Sequence, residues 1–326
     1  MYPKRKFLTV ALAGLMALPG LAVAQAYPDR PVKMVVAFPA GGPTDVLARI
    51  VAQGMSKSLG KQVVIENRAG GGGAIGTKDA AKAAPDGYTI LFAGDAALTV
   101  QPQLTSTAGY DARRDFTPLR LVASQANVLA VNANTGIKDM AALLARAKAR
   151  PAGMTFGSAG NGSPSHLIGA LFESETAIDL IHVPYKGAAP AMTDLIGGHI
   201  DMLFVGAPVA LQNAKRHDLV MIAVTGDKRL PGLPNVPTFA ETGVRNLGAE
   251  TAIWWSVMAP AGLPPAVAAT LDDAIRASLQ DQDVLKSLTS QGVDVLNLEA
   301  RTTEQWIARD LNKWGALIRA KKISNE

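Results

Sequence analysis

Short apolar runs alternate with segments of helical period along most of this chain, and the junctions are turns rich in glycine and proline. Residues 32–38, 63–66 and 89–93 are β-prone runs, and segments 45–59 and 77–84 between them carry apolar residues at helical spacing. Strands apolar throughout and joined by helices predict a parallel sheet covered on both faces. The rhythm then repeats. Helices are expected over 140–150, from Pro164 to Glu175 and over 188–196, and strands over 154–157, 181–184, 202–205 and 220–224. Two further strands, 119–123 and 128–131, flank a passage from one unit to the other at 124–127, and 253–258 reads as the strand that returns. The remainder, with helices expected over 265–279, 283–291 and 303–321, should pack on the first unit. The fold class is therefore α/β, with two lobes, each a mainly parallel sheet flanked by helices: residues 27–125 plus 253–326, and residues 126–252.

The first 26 residues stand apart. Lys4, Arg5 and Lys6 precede an apolar stretch over 7–18, Pro19 and Gly20 break it, and small-x-small sites end at Ala24 and Ala26. This is the pattern of a cleavable export signal, with cleavage expected after Ala26 and the periplasm as destination. Three of the net five positive charges lie in it, which leaves two on residues 27–326 and no basis for a nucleic-acid partner. There is no cysteine, so neither disulfides nor thiol chemistry arise. His166, His182, His199 and His217 are widely spaced and form no metal-ligand pattern. No metal and no cofactor are expected.

Segment 35–49, VVAFPAGGPTDVLAR, is a strand, a glycine-rich turn and a helix start. Such a junction leaves backbone N–H groups unpaired at the positive end of a helix dipole, and a carboxylate suits that seat. Asp45, in the first helical turn, orders the loop or meets a ligand. The second series has its own junction at 157–166, GSAGNGSPSH, with Ser163 as N-cap and Pro164 in the first turn. A third loop places Tyr185, Lys186 and Gly187 between a strand and a helix. His166 is a donor to a carboxylate or a packed histidine. Trp254 and Trp255 read as packing at the lobe junction. Gly71–Gly76 matches G-x-G-x-x-G, but Asn67, Arg68 and Ala69 separate it from the preceding strand, so it reads as a turn with close backbone approach rather than a dinucleotide site. No G-x-S-x-G elbow is present and no catalytic set is recognisable.

Ordered motifs from Tyr27 onward resemble one family. They are YPDRPVKMVVAFPAGGPTDVLAR, VVIENRAGGGGAIGT, APDGYTILFAG, DFTPLRLVA, FGSAGNGSPSHL, HVPYKGAAPAMTDLIGGHIDMLF, VPTFAETG and APAGLP. The chain resembles the Bug-type solute receptors, the extracytoplasmic binding proteins of tripartite tricarboxylate transporters. That resemblance implies a two-lobed periplasmic binding protein of the Venus-flytrap, type II-like kind, monomeric, which binds a small carboxylate in its cleft for delivery to membrane transporter subunits. In the first lobe it implies a carboxylate seat at Phe38, Pro39, Ala40, Gly41, Gly42, Thr44 and Asp45, with Gly94, Asp95 and Ala96 along the same side. In the second it implies Ser158, Ala159, Gly160, Asn161, Ser163 and His166, with Tyr185, Lys186, Gly187 and Gly206, closing over the ligand. Asp95 departs from the uncharged residue many members carry; it would repel a second carboxylate and pair with a ligand amine. The expected ligand is thus a dicarboxylate, an amino acid or an aromatic acid. The other readings are a ligand-sensing receptor for a signalling partner and an exported hydrolase using His166 or Asp45.

Overall fold

The structure, a computed structural model, describes residues 27–105, 108–150, 152–248 and 251–324, so the expected export signal lies outside the described residues. In chain order, the first unit runs β1 (Val32–Val36), α1 (Pro43–Leu59), β2 (Val63–Asn67), α2 (Ala74–Ala81) and β3 (Thr89–Gly94). A wide helical turn, Ala96–Val100, then leads into α3 (Gln101–Leu104) and β4 (Phe116–Gln125). The second unit comprises β5 (Asn127–Asn132), α4 (Met140–Lys148), β6 (Met154–Ser158), α5 (Pro164–Thr176), β7 (Leu180–Pro184), α6 (Ala188–Gly197), β8 (Met202–Gly206), α7 (Ala207–Asn213) and β9 (Leu219–Val224). The chain returns through β10 (Ile253–Pro260), α8 (Pro265–Gln280), α9 (Gln282–Ser290), β11 (Asp294–Glu299) and α10 (Ala300–Lys321).

Two sheets result, ordered β11-β4-β10-β3-β1-β2 and β7-β6-β8-β5-β9. Both are mixed, each built on the expected parallel set. β1, β2 and β3 pair parallel, as do β6, β7 and β8, but β10 lies antiparallel between β3 and β4, and β5 antiparallel between β8 and β9. The cause is the crossing. A strand arriving from the other unit enters at the end where the parallel strands stop, and so must run against them.

The same register fixes how the sheets face. Trp255 pairs with Gly94, the last residue of β3, and Ile253 pairs with Gln125, the last residue of β4. After Ala126, Asn127 pairs with Gly206, the last residue of β8. The crossing therefore joins the carboxyl edge of one parallel set to the carboxyl edge of the other. Those edges are where open α/β sheets hold ligands.

Two expectations about the C-terminal part are corrected. β11 was not foreseen: half of its residues are exposed and none is fully buried, and Asn297 at φ 48° interrupts the alternation, so the sequence shows no clean strand period. Nor does α10 pack on the first unit alone. Ile307 lies in the core beneath β10, while Trp314, Leu317 and Ile318 enter the core of the second sheet with Phe172 and Phe204, and Lys321 pairs with Glu173 at 2.6 Å.

Helix α1 covers one face of the first sheet beneath α8, and the two helices meet at Gly54. A Cβ there would lie 2.1 Å from Ser278 Oγ and 3.0 Å from its Cα. Alanine in an exposed helix interior is better than glycine by about 1 kcal/mol. Here the clash involves backbone and reverses the sign: Gly54→Ala should lower unfolding free energy by about 1–3 kcal/mol. Urea unfolding of both proteins checks it, and a stabilised variant contradicts the contact.

Candidate functional site

The turn after β1 is held by a carboxylate. Asp45 is 2% exposed. Its Oδ2 accepts from the Gly41 N–H at 2.8 Å and from Arg49 Nε at 2.9 Å, and its Oδ1 accepts from Asn67 Nδ2 at 2.8 Å. Burial pushes this carboxyl up, but the Arg49, Gly41 and Asn67 hydrogen bonds outweigh it and hold it below the usual range. Asn67 also donates to the Phe38 carbonyl at 3.0 Å. Turn 38–42 is thus clamped at both ends, and Asp45 acts by ordering it. The Val46 N–H bonds Gly42 O at 3.0 Å, the first turn of α1. The Thr44 and Asp45 amides precede that bond, in the first turn of α1, where the helix itself offers no acceptor.

Thr44 ties this turn to the floor beneath: its Oγ1 accepts from Trp255 Nε1 at 3.1 Å, in the buried interior. A Cβ on Gly94 would sit 3.4 Å from the same indole nitrogen. So Phe38–Asp45 and Gly94 converge on Trp255. Gly73, at φ 98°, packs against Phe38 and Ala97; a Cβ there would lie 3.1 Å from the Phe38 ring. That is the close approach read from the G-x-G-x-x-G segment. Ala96 is half-buried and packs against the core of the second sheet.

Asp95 is 5% exposed and faces α10. Burial, reinforced by the Asp310 carboxylate and opposed by the Ala96 N–H, Lys313 and Arg309, pushes its carboxyl up to about 7. Asp310 is fully buried and accepts from Trp254 Nε1 at 2.7 Å and from Arg309 Nε at 2.8 Å.

The loop after β6 is built differently from its counterpart. Its N–H groups were expected to be free, yet Ala159 donates to Ser165 Oγ, Gly160 to Ser158 Oγ, Gly162 to His166 Nδ1 and Ser163 to Gly160 O, at 2.9–3.1 Å. Side chains of its own helix and strand hold the loop in shape. Exposed Asn161 stands at its tip. The hydroxyl of fully buried Ser158 lies 2.6 Å from His182 Nε2, and His182 stacks on His166 with ring centroids 3.8 Å apart. Burial, and secondarily the His182 neighbour, pushes His166 down to about 4; burial also lowers His182. The neutral pair props the loop from below. Tyr185 N–H bonds Ser158 O at 3.0 Å, which seats the third loop beside the second, and its hydroxyl donates to Asp194 at 2.7 Å. Lys186 is exposed and Gly187, at φ 122°, is half-buried.

Between the units lies a cavity of about 220 Å³. Gly41, Pro43, Val46, Leu47, Trp255 and Val293 line it from one side, Pro208 and Val209 from the other, and Gln125 from the crossing. Gly206 closes on the same crossing: a Cβ there would lie 2.6 Å from Gln125 Nε2. The first-lobe turn therefore shares this space with the turn after β8, whereas residues 158–163 do not line it. Asn67, Gln125, His182, Pro208, Val209 and Trp255 were not foreseen as site residues. Only Trp255 carried a signal, as one of two adjacent tryptophans on the return strand. Among the described residues no metal-holding cluster occurs.

Two titrations act with opposite sign on stability. The unfolded chain takes up a proton on His166 near pH 6.5 that the folded chain refuses until about 4, so this contribution is full above 6.5 and is lost as pH falls towards 4. The Asp95 contribution is full below 3.8 and is lost as pH rises through about 7. Each is worth up to about 1.4 kcal/mol per pH unit. His166→Gln should flatten the acid-side loss and Asp95→Asn should steepen it, read from urea midpoints between pH 4.5 and 7. Asp45→Ala should lower stability by about 1–3 kcal/mol and weaken any ligand seated at α1; an unaltered melting curve contradicts the clamp.

Comparison with known proteins gives one consistent answer. The sequence profile of the tripartite tricarboxylate transporter family receptor, TctC, matches residues 47–323. Protein BugT of Bordetella pertussis (strain Tohama I) is 36% identical over 311 residues, covering 95% of this chain and 94% of that protein. The periplasmic binding protein BugD superposes with TM-score 0.76 at 33% identity, over 91% of this chain and 99% of that one. The R. palustris protein Rpa4515, solved with adipate, superposes with TM-score 0.78 at 31% identity, over 91% and 99% of the two chains. With the fold, the facing strand ends and these likenesses in agreement, the chain belongs to the tripartite tricarboxylate transporter family of solute-binding receptors.

Proposed function

We propose that this receptor binds a small organic carboxylate between its two lobes, with one carboxylate seated on the first amides of α1, and hands it unaltered to membrane subunits of a tripartite transporter. The observation that carries the reading is the shared space: the clamped turn at Gly41–Pro43 and the turn at Pro208–Val209 come from opposite lobes and line one cavity. A ligand touching both favours the closed arrangement over the open one, and that differential contact drives closure. Adipate in Rpa4515 supports a carboxylate guest. Export through residues 1–26 and delivery to a transporter follow from the motif pattern and the family.

Further contacts belong to the same proposal: Phe38, Pro39, Ala40, Gly42, Gly94 and Ala96 on the first lobe, and the Ser158–Ser163 loop with Tyr185, Lys186, Gly187 and Gly206 on the second. Asn161 and Lys186 are the exposed members able to swing onto a ligand. His166 and Tyr185 act through the loops they hold. Asp95, with its carboxyl pushed up to about 7, serves a ligand amine when ionised and donates to a carboxylate when protonated. The hydrolase reading gains nothing from the geometry, because Asp45 and His166 Nδ1 already hold backbone N–H groups.

Thermal denaturation of residues 27–326 with a panel of dicarboxylates, amino acids and aromatic acids tests the reading. A ligand at a hundredfold excess over its Kd stabilises the native state by about 2.7 kcal/mol. At least one carboxylate should raise the melting temperature and be recovered unchanged. No shift with any carboxylate at millimolar concentration overturns the reading, as does release of a reaction product.

A further inference from the structure

The interlobe cavity is polar at one rim and carbon-walled elsewhere. Pro43, Val46 and Leu47 of α1 face Pro208 and Val209 of α7, and Trp255 supplies a further wall. The one polar atom of the Trp255 side chain is already bound to Thr44 Oγ1, so what this residue offers a guest is its ring. Gln125 and Gln291 provide the amides at the polar rim. The volume of about 220 Å³ exceeds the roughly 150 Å³ at which an apolar cavity takes up a benzene-sized molecule. Gly41 and Pro43 belong both to this cavity and to the turn that opens α1. A carboxylate on the Thr44 and Asp45 amides thus has carbon-lined space beside it.

We propose that this cavity receives a compact apolar body, a ring or a branched chain, carried by the carboxylate that α1 holds, with Trp255 and Val209 deciding what fits. The inference rests on the carboxylate reading and narrows its ligand to acids with an apolar body. A short, fully polar diacid leaves these walls uncovered and gains nothing from them. An aryl or branched acid covers them from both lobes at once, so the same contacts that select the ligand also favour closure.

Titration calorimetry on residues 27–326 with phenylacetate and with succinate, for the wild type and for Val209→Phe, tests it. The wild type should bind phenylacetate at least tenfold more tightly than succinate. Val209→Phe, which fills the cavity, should weaken phenylacetate at least tenfold more than it weakens succinate. Equal losses for both acids overturn the proposal, because the space is then a gap needed for closure and not a subsite. Binding of succinate with none of phenylacetate overturns it while the carboxylate reading stands; binding of neither by a folded wild type overturns it together with the support these acids lend that reading. A second readout needs no folded cavity variant. Saturating phenylacetate should shift the tryptophan emission of the wild type and shift that of Trp255→Phe far less, and an unchanged wild-type emission overturns the proposal.

Discussion

Two parallel sheets can present their strand ends to one another only if the chain passes between them at those ends. In this molecule that constraint is met by backbone pairing. Gln125 with Ile253, Gly94 with Trp255, and Asn127 with Gly206 fix the crossing strands against the last residues of β3 and β8. Each carboxyl edge then faces the other, and the turns after β1 and β8 line one interlobe space. The mixed character of both sheets is the cost of this arrangement, since a strand entering at that edge must run antiparallel.

Given that frame, the two lobes solve the loop problem by different chemistry. The first spends a buried carboxylate, Asp45, on the turn ahead of its own helix. The second spends hydroxyls and imidazoles, from Ser158, Ser165 and His166, on the amides of its own loop. One turn is thereby held by a buried carboxylate of its own helix, and the other by hydroxyls and a ring nitrogen, with Asn161 and Lys186 left exposed on the second lobe.

Much of this was legible in the sequence. The alternation of apolar runs and helical segments located most strands and helices of the two sheets, and the glycine-rich junctions marked the loops at the strand ends. What stayed hidden depended on long-range pairing. The antiparallel entry of β10 comes from its register with β3 and β4, which no local window contains. β11 lacks a strand period because it is half-exposed and broken at Asn297. The partners Asn67 and Trp255 lie 22 and 211 residues from Asp45 and Thr44, so spacing carries no trace of them. Asp95 looked like a bare charge beside the cleft; the fold buries it, and that burial, reinforced by Asp310, raises its carboxyl.

The last helix determines what kind of closure this frame permits. Its first half is anchored beneath the first sheet through Ile307 and through Asp310, bound by Trp254; its second half is anchored in the second core through Trp314, Leu317 and Ile318. A rigid helix fixed in both lobes resists their separation as free bodies. Asp95 stands at the end of β3 with its carboxyl in the field of Asp310, at the middle of that helix. The charge state of Asp95 is thus coupled to a helix packed into both cores.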